Sequence, residues 1–334
     1  MRKLATIQVI KSPEPIPNAD RILLARFQDI GWQCVVAKDD GFAEGDLAVF
    51  LEVDSLVDVE QPRFAFMAAH KGRVRTIRLR GVWSQGLALP LAKFPELAGL
   101  ALSSGLDITA TLGIQQYVPP EPVSVGGDVL GSFPTAIIPK TDELRVQAYP
   151  LVLEELRGLP AVATVKCDGA SGTAYRWNDH FGVCSRNLEM KDTADNAFWK
   201  VARKYDLAER LPNGYAVQFE ACGEGIQKNR LGIRGVDGFV FNVWDIAESR
   251  YLDHEPAREF ARSLGMPLVP EAHRWAAFDA SLEELLAMAQ GVYAGTRNQR
   301  EGIVVRPLQE RYSPTLNGRL SFKVLNNVFL LAED

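Results

Sequence analysis

Over the first ninety residues, short apolar runs alternate with polar turns. Ala5-Thr6-Ile7-Gln8-Val9-Ile10 is rich in β-formers and should stop at Ser12-Pro13. Ile16-Pro17-Asn18-Ala19-Asp20 reads as a turn into the run Ile22 to Phe27. Trp32 to Ala37 follows, then Asp39-Asp40-Gly41, Glu44-Gly45-Asp46 and the run Leu47 to Val53. Closely spaced strands punctuated by Gly and Asp predict a small antiparallel barrel rather than a βαβ array.

From Lys93 to Val125 the pattern turns irregular, and Pro119-Pro120-Glu121-Pro122 cannot continue a helix or a central strand. That cluster reads as the start of a linker, and the second domain should begin near Lys140-Thr141-Asp142-Glu143-Leu144-Arg145. The expected domains are 1–125 and 126–334. In the second, Asp195 to Leu211 has helical spacing, with Phe198, Val201, Ala202 and Tyr205 on one stripe and a stop at Pro212-Asn213-Gly214. Ser281-Leu282-Glu283-Glu284 fits a capping box opening a helix that ends near Gly291. Strand-like runs lie at Ala161 to Val165, Tyr215 to Cys222, Phe239 to Trp244, Ile303 to Arg306 and Leu320 to Leu325. The mixture predicts an α+β chain.

Composition narrows the classes. With 334 residues, two domains are the default, and 47% hydrophobic with 24% charged residues excludes wholesale disorder. No stretch approaches the ~20 apolar residues of a membrane span, and Met1 to Gln8 lacks the apolar core of a secretory signal. Cys34, Cys167, Cys184 and Cys222 form no C-x-x-C pair, so neither a disulfide scaffold nor a zinc site is expected, and a reducing cytoplasm is. A net charge of -5 excludes general coating of nucleic acid but leaves room for a local basic groove. Lys71, Arg73, Arg75, Arg78 and Arg80 supply one without an intervening acid. Strand periodicity puts Arg73 and Arg75 opposite Arg78 and Arg80 unless a bulge near Thr76 turns both pairs outward. The other reading is a strand edge guarded by charge.

The sharpest chemical signal is Thr164-Val165-Lys166-Cys167-Asp168-Gly169-Ala170-Ser171-Gly172-Thr173: a strand delivers a lysine, and a turn of Asp, Gly and small hydroxyl residues follows. Small residues let a phosphate-bearing ligand approach the backbone, and Lys166 is a candidate nucleophile or phosphate contact. Arg186, Glu220, the run Phe241-Asn242-Val243-Trp244-Asp245-Ile246, Glu301-Gly302-Ile303-Val304-Val305 and Ser321-Phe322-Lys323-Val324 follow in order. A charge in or beside an apolar strand is costly unless it is paired or used. Converging, these residues would make a pocket of cations, carboxylates and an aromatic shelf.

The series resembles the collinear motifs of the covalent nucleotidyltransferases: DNA ligases, RNA ligases and mRNA capping enzymes. Lys166-Cys167-Asp168-Gly169 matches the first motif, Phe241 to Ile246 the third, Glu301 to Val305 the fourth and Lys323 the fifth. Across almost the whole chain the likeness is to Deinococcus-type ATP-dependent RNA ligases. It includes Pro17-Asn18-Ala19-Asp20-Arg21, Glu44-Gly45-Asp46, Ser84-Gln85-Gly86-Leu87 and Lys140 to Glu143. The resemblance implies an N-terminal OB-like β-barrel followed by a nucleotidyltransferase (ATP-grasp-like ligase adenylation) domain of antiparallel sheets and helices. Only eleven residues follow Lys323, whereas DNA ligases and capping enzymes usually carry an OB domain there.

The resemblance also implies roles. Lys166 attacks the ATP α-phosphate to form lysyl-AMP, its pKa lowered by a neighbouring cation, Lys323 or a divalent metal. Lys323 and Glu301 join it as catalytic residues. Asp168, Glu220 and Glu301 hold Mg²⁺ or Mn²⁺, directly or through water. Arg186 and Glu220 surround the AMP phosphate and ribose, with Gly169 beside them. Phe241, or else Trp244, stacks on adenine. Arg145 reaches the outgoing phosphates or braces the domain junction. Arg73, Arg75, Arg78 and Arg80 contact RNA phosphates. The expected partner is RNA with 5′-phosphate and 3′-OH ends in a nicked duplex, joined in RNA repair by a monomer. DNA ligase and capping guanylyltransferase stand as alternatives within the class, and a catalytically silent OB-fold RNA-binding protein outside it. Two positions depart from the family pattern: Ser321 stands where many ligases have a second lysine, and Val165 where many have a carboxylate.

Overall fold

The strand Ala5–Pro15 organises the first half of the chain by pairing antiparallel with Ile22–Phe27 on one side and Leu47–Leu51 on the other. With Gln33–Ala37 and Leu87–Pro90 at the ends, the five strands run in the order Gln33–Ala37, Ile22–Phe27, Ala5–Pro15, Leu47–Leu51, Leu87–Pro90. The expected stop at Ser12-Pro13 is instead a register shift between Ile10 and Ser12, a bulge that lets the strand accept proline and bend. Alternation loads both faces of this sheet. Ala5, Ile7, Val49 and Leu51 join one core, while Ile10, Ala48 and Phe50 join the other. Gly86 has φ +110°, and a Cβ there would lie 2.5 Å from the Phe50 ring, so the close turn before Leu87 requires glycine. The result is the expected OB-like barrel.

The computed structural model describes residues 2–118 and 128–332. The chain divides into one unit of Met1–Pro119, Val146–Pro150 and Leu330–Asp334, and another of Pro120–Arg145 and Leu151–Phe329. The proline cluster and the expected boundary at 125/126 lie outside the described residues. Among those described, no helix is long and apolar enough to cross a membrane.

Among the described residues, two main sheets and a small ribbon of Tyr312–Ser313 with Gly318–Arg319 build the second unit. The larger is antiparallel, in the order Val129–Ser132, Leu188–Met190, His180–Cys184, Ala170–Trp177, Tyr215–Gly223, Val236–Asp245, Arg250–Tyr251. The smaller runs Leu144–Arg145, Phe322–Leu325, Gly302–Pro307, Ala161–Lys166, Glu271–Trp275, parallel only between its first two strands. The helix Ala197–Lys204 lays Phe198, Val201 and Ala202 on the core of the larger sheet. It ends earlier than its spacing predicts. Tyr205 donates to Asp237 at 2.5 Å, Lys204 pairs with the same carboxylate, and Asp206 turns left-handed (φ 51°) before a short second helix, Leu207–Arg210. Ser281 forms the expected capping box with Glu284 and opens the helix Leu282–Ala289.

The expected small-residue turn after Lys166 is shorter than its sequence suggests. Ala170 already begins the next strand, and Gly172 lies within the sheet opposite Phe219. A Cβ on Gly172 would come within 2.7 Å of the Phe198 and Phe219 rings, so this glycine serves packing rather than a phosphate cradle. Only Cys167–Gly169 crosses from the smaller sheet to the larger one.

Candidate active site

Lys166 is the last residue of its strand, opposite Gly302 at the start of the neighbouring strand. Glu301 therefore stands just beyond the paired segment, where its Oε2 lies 2.8 Å from Lys166 Nζ. Burial disfavours the lysine's charge, but the carboxylates of Glu301 and Glu220 outweigh it and hold the Lys166 pKa above its ordinary value. In the metal- and nucleotide-free protein the carboxylates therefore favour an ammonium paired with Glu301 over the expected lowering by Lys323.

Register explains why distant residues meet here. Thr164, Val304, Lys323 and Arg145 are directly opposite one another across four strands, so their side chains share one face of the smaller sheet. Lys166, two residues beyond Thr164, shares that face. Three of the expected cations are thus brought onto one surface, with Lys323 two strands from Lys166.

The crossing segment brings the larger sheet's carboxylate to the lysine. Glu220 pairs with Ser171 and Phe239 in register and accepts the Gly169 N–H. A Cβ on Gly169 would lie 2.3 Å from Ala221 O and 2.9 Å from Glu220 Cγ, so only glycine permits this approach. Burial, opposed by Lys166 and reinforced by Glu301 and Asp168, raises the Glu220 pKa to about 7. Asp168 is buried and its pKa is raised by burial, although Arg230 Nη1 donates to its Oδ2 at 2.6 Å. Arg230 escaped the sequence reading. It lies 62 residues from Asp168 in an irregular segment, and no local pattern marks it.

The remaining expected residues are distributed around this centre. Arg186 projects from the turn after His180–Cys184 and pairs with Asp142, both side chains about half exposed. Phe241 is half-buried and is the extra residue of a bulge, since Val240 and Asn242 pair with consecutive residues Phe219 and Gln218. Arg306 Nη1 donates to its carbonyl at 2.9 Å and to Asn242 Oδ1 at 2.7 Å. Trp244 is committed to packing: its indole donates to Ile137 O and its ring meets Tyr251 edge-on. The Ser321 hydroxyl, at the place of the second lysine, donates to Glu143 Oε1 at 2.8 Å. Among the described residues, no group of three or more His, Cys, Asp or Glu side chains is arranged to hold a metal ion.

The basic stretch of the first unit does not behave as one patch. The Thr76–Leu79 and Val82–Gln85 hairpin keeps a regular register, without the bulge near Thr76 that would turn both arginine pairs outward. Arg80 and Gly81 both have positive φ, the geometry of a two-residue hairpin turn. Arg78 and Arg80 are exposed on this hairpin. Arg73 pairs with Asp54 at 2.8 Å and lies over the Tyr117 ring, and Arg75 is half-buried.

Comparison with known proteins agrees with this arrangement. A family model described as RNA ligase matches residues 159–325, and an OB-fold domain model matches residues 4–91. Solved structures of a Naegleria gruberi RNA ligase resemble the chain throughout. A mutant with ATP and Mn has a TM-score of 0.88 at 36% identity over 99% of each chain. A second mutant with AMP and Mn has the same score, identity and coverage. The form with PPi gives 0.87 at 37% over 99% of each chain. No curated protein sequence matches. With a barrel ahead of a lysine–carboxylate centre, and this likeness from end to end, the chain belongs to the RNA ligase family.

Proposed function

We propose that this RNA ligase uses ATP to form lysyl-AMP on Lys166, passes the AMP to an RNA 5′-phosphate and joins that end to a 3′-OH, acting on nicked duplexes in RNA repair. The observation that carries the reading is Lys166 Nζ at 2.8 Å from Glu301 Oε2, where one sheet hands the chain to the other, with Glu220 and Asp168 close enough to act on the charges there. The amine must lose its proton before attack, and Glu301 is the nearest acceptor. A bond then forms from Nζ to the α-phosphorus as the bond to the bridging oxygen breaks, and pyrophosphate leaves.

Lys323, on the same face as Lys166, offsets charge on the α-phosphate as it develops. Arg145 beside it takes the outgoing phosphates, a task suited to a guanidinium fork. Arg186 and Glu220 hold the AMP phosphate and ribose, and Phe241 stacks on adenine. The donor set also suits a divalent cation. Glu220 and Asp168 are raised first by burial and further by neighbouring carboxylate charge, and a hard cation would relieve the second part. Mg²⁺ or Mn²⁺ keeping most of its waters needs only one or two of Asp168, Glu220 and Glu301, together with substrate phosphates. When bound, it neutralises phosphate charge and favours the unprotonated lysine. Arg78 and Arg80 carry RNA phosphate contacts on the barrel, with Arg73 and Arg75 bracing that region. Four free, buried cysteines are in keeping with a cytoplasmic enzyme, which we take to act as a monomer.

The test is sealing of 5′-phosphorylated nicked duplexes that differ only in the sugar at the 3′-OH. Nicks ending in ribose should close with ATP and Mg²⁺ or Mn²⁺, and all-deoxy nicks should not. Equal sealing of both would make the enzyme a general polynucleotide ligase, and labelling from GTP alone would move it to capping chemistry.

A further inference from the structure

The Lys166–Glu301 contact joins residues 135 positions apart, and both lie at the frayed end of a strand pair. The register that holds the strands runs from Ala161 opposite Pro307 to Lys166 opposite Gly302 and goes no further. Just past that limit, one side chain crosses between the strands. The Tyr293 hydroxyl donates to Lys166 O at 2.9 Å and accepts the Glu301 N–H at 3.1 Å. It acts as one more rung, made by a side chain, at the point where the two functional side chains leave the sheet.

The ring is itself held. Tyr293 is 5% exposed and lies in a tight loop after the helix Leu282–Ala289. Val292 bridges to Gln299, Tyr293 N donates to Asn298 O at 3.0 Å, and the Thr296 hydroxyl donates to Tyr293 O at 3.0 Å. Burial raises the phenol pKa further above its ordinary value, so the hydroxyl keeps the proton that it donates to Lys166 O.

We propose that Tyr293 is a positioning residue for the first chemical step: its hydroxyl fixes the Lys166 backbone against that of Glu301 and so sets the distance between nucleophile and carboxylate. The inference rests on Lys166 being the adenylylated lysine. It needs no contact between Tyr293 and the nucleotide, so its signature is a loss of rate without a loss of ATP binding.

The test is single-turnover formation of lysyl-AMP by the full chain across a range of ATP concentrations with Mn²⁺, comparing wild type, Tyr293→Phe and Tyr312→Phe. Tyr293→Phe removes the hydroxyl and keeps the ring, and rates are read below its melting transition. Tyr312 is exposed, and its hydroxyl serves only as a matched control. Geometry loosened at a reacting pair can cost up to about 100-fold. Tyr293→Phe should therefore lower the maximal rate constant about 10- to 100-fold, with half-saturating ATP within about threefold and Tyr312→Phe unchanged. A merely structural role would reduce the amplitude of the burst and leave its rate constant intact, and that result overturns the proposal. A rise in half-saturating ATP at unchanged maximal rate overturns it too. If wild type itself forms no adduct, the assignment of Lys166 fails, and this inference with it.

Discussion

Replacing Glu220 by glutamine tests the electrostatics of the site without touching the nucleophile. The Glu220 pKa is raised from an ordinary 4.5 to about 7 in the folded protein. Between those values the native state holds a proton that the unfolded chain has released, so stability falls as pH rises through that window. At about 1.4 kcal/mol per pH unit, the ceiling for complete burial is roughly 3 kcal/mol. Glu220 is only half-buried, and solvent screening reduces this to about 1–2 kcal/mol. Glutamine can still accept the Gly169 N–H but carries no charge. Urea unfolding of metal- and nucleotide-free protein, at equal m-values, should show wild type and Glu220→Gln close together near pH 4.5. By pH 8, Glu220→Gln should be the more stable by about 1–2 kcal/mol. A difference independent of pH, or one that moves in favour of wild type as pH rises, would refute the reasoning.

Other substitutions separate folding from chemistry. Gly169→Ala drives a methyl onto a backbone carbonyl fixed in a sheet, so it should cost about 1–3 kcal/mol and slow lysyl-AMP formation at least tenfold, read by melting and by burst kinetics. A tolerated alanine with full activity would contradict the close approach described for Glu220. Arg78→Ala with Arg80→Ala should weaken RNA binding and reduce the salt slope by about 1 per arginine, whereas Arg73→Ala should lower the melting temperature by disrupting the Asp54 pair and the Tyr117 contact. Titrations at several salt concentrations together with thermal unfolding would distinguish them, and equal behaviour of Arg73 and Arg78 would refute the division.

What the sequence made legible was what depends on neighbours in the chain. Alternation marked the barrel strands, the Ser281–Glu284 spacing marked a helix start, and a lysine closing an apolar strand marked the candidate site. Register then did what local pattern cannot, placing Lys323 and Arg145 on the face of Lys166 through the pairings of Thr164 with Val304, Val304 with Lys323 and Lys323 with Arg145, the first and last between residues far apart in the chain. Arg230 and Tyr293 were illegible for the same reason: each acts on a residue 62 or 127 positions away, from an irregular segment. The helix expected through Leu211 breaks at Asp206 because Asp237, on a distant strand, holds Tyr205 and Lys204. Gly172 looked like part of a phosphate loop because its neighbours are small, whereas two phenylalanine rings demand it. That Glu301 and Glu220 both bear on the charge of Lys166 was not legible either, because the two carboxylates come from two separate sheets.

The central claim is that Lys166 carries the AMP. Intact mass of freshly purified, nucleotide-free protein after incubation with ATP and Mn²⁺ tests it most directly, with wild type beside Lys166→Ala. Wild type should gain one adenylyl group and Lys166→Ala none. A gain by both proteins would put the AMP on another residue, and a gain by neither would leave the barrel's RNA binding as the activity and contradict the account.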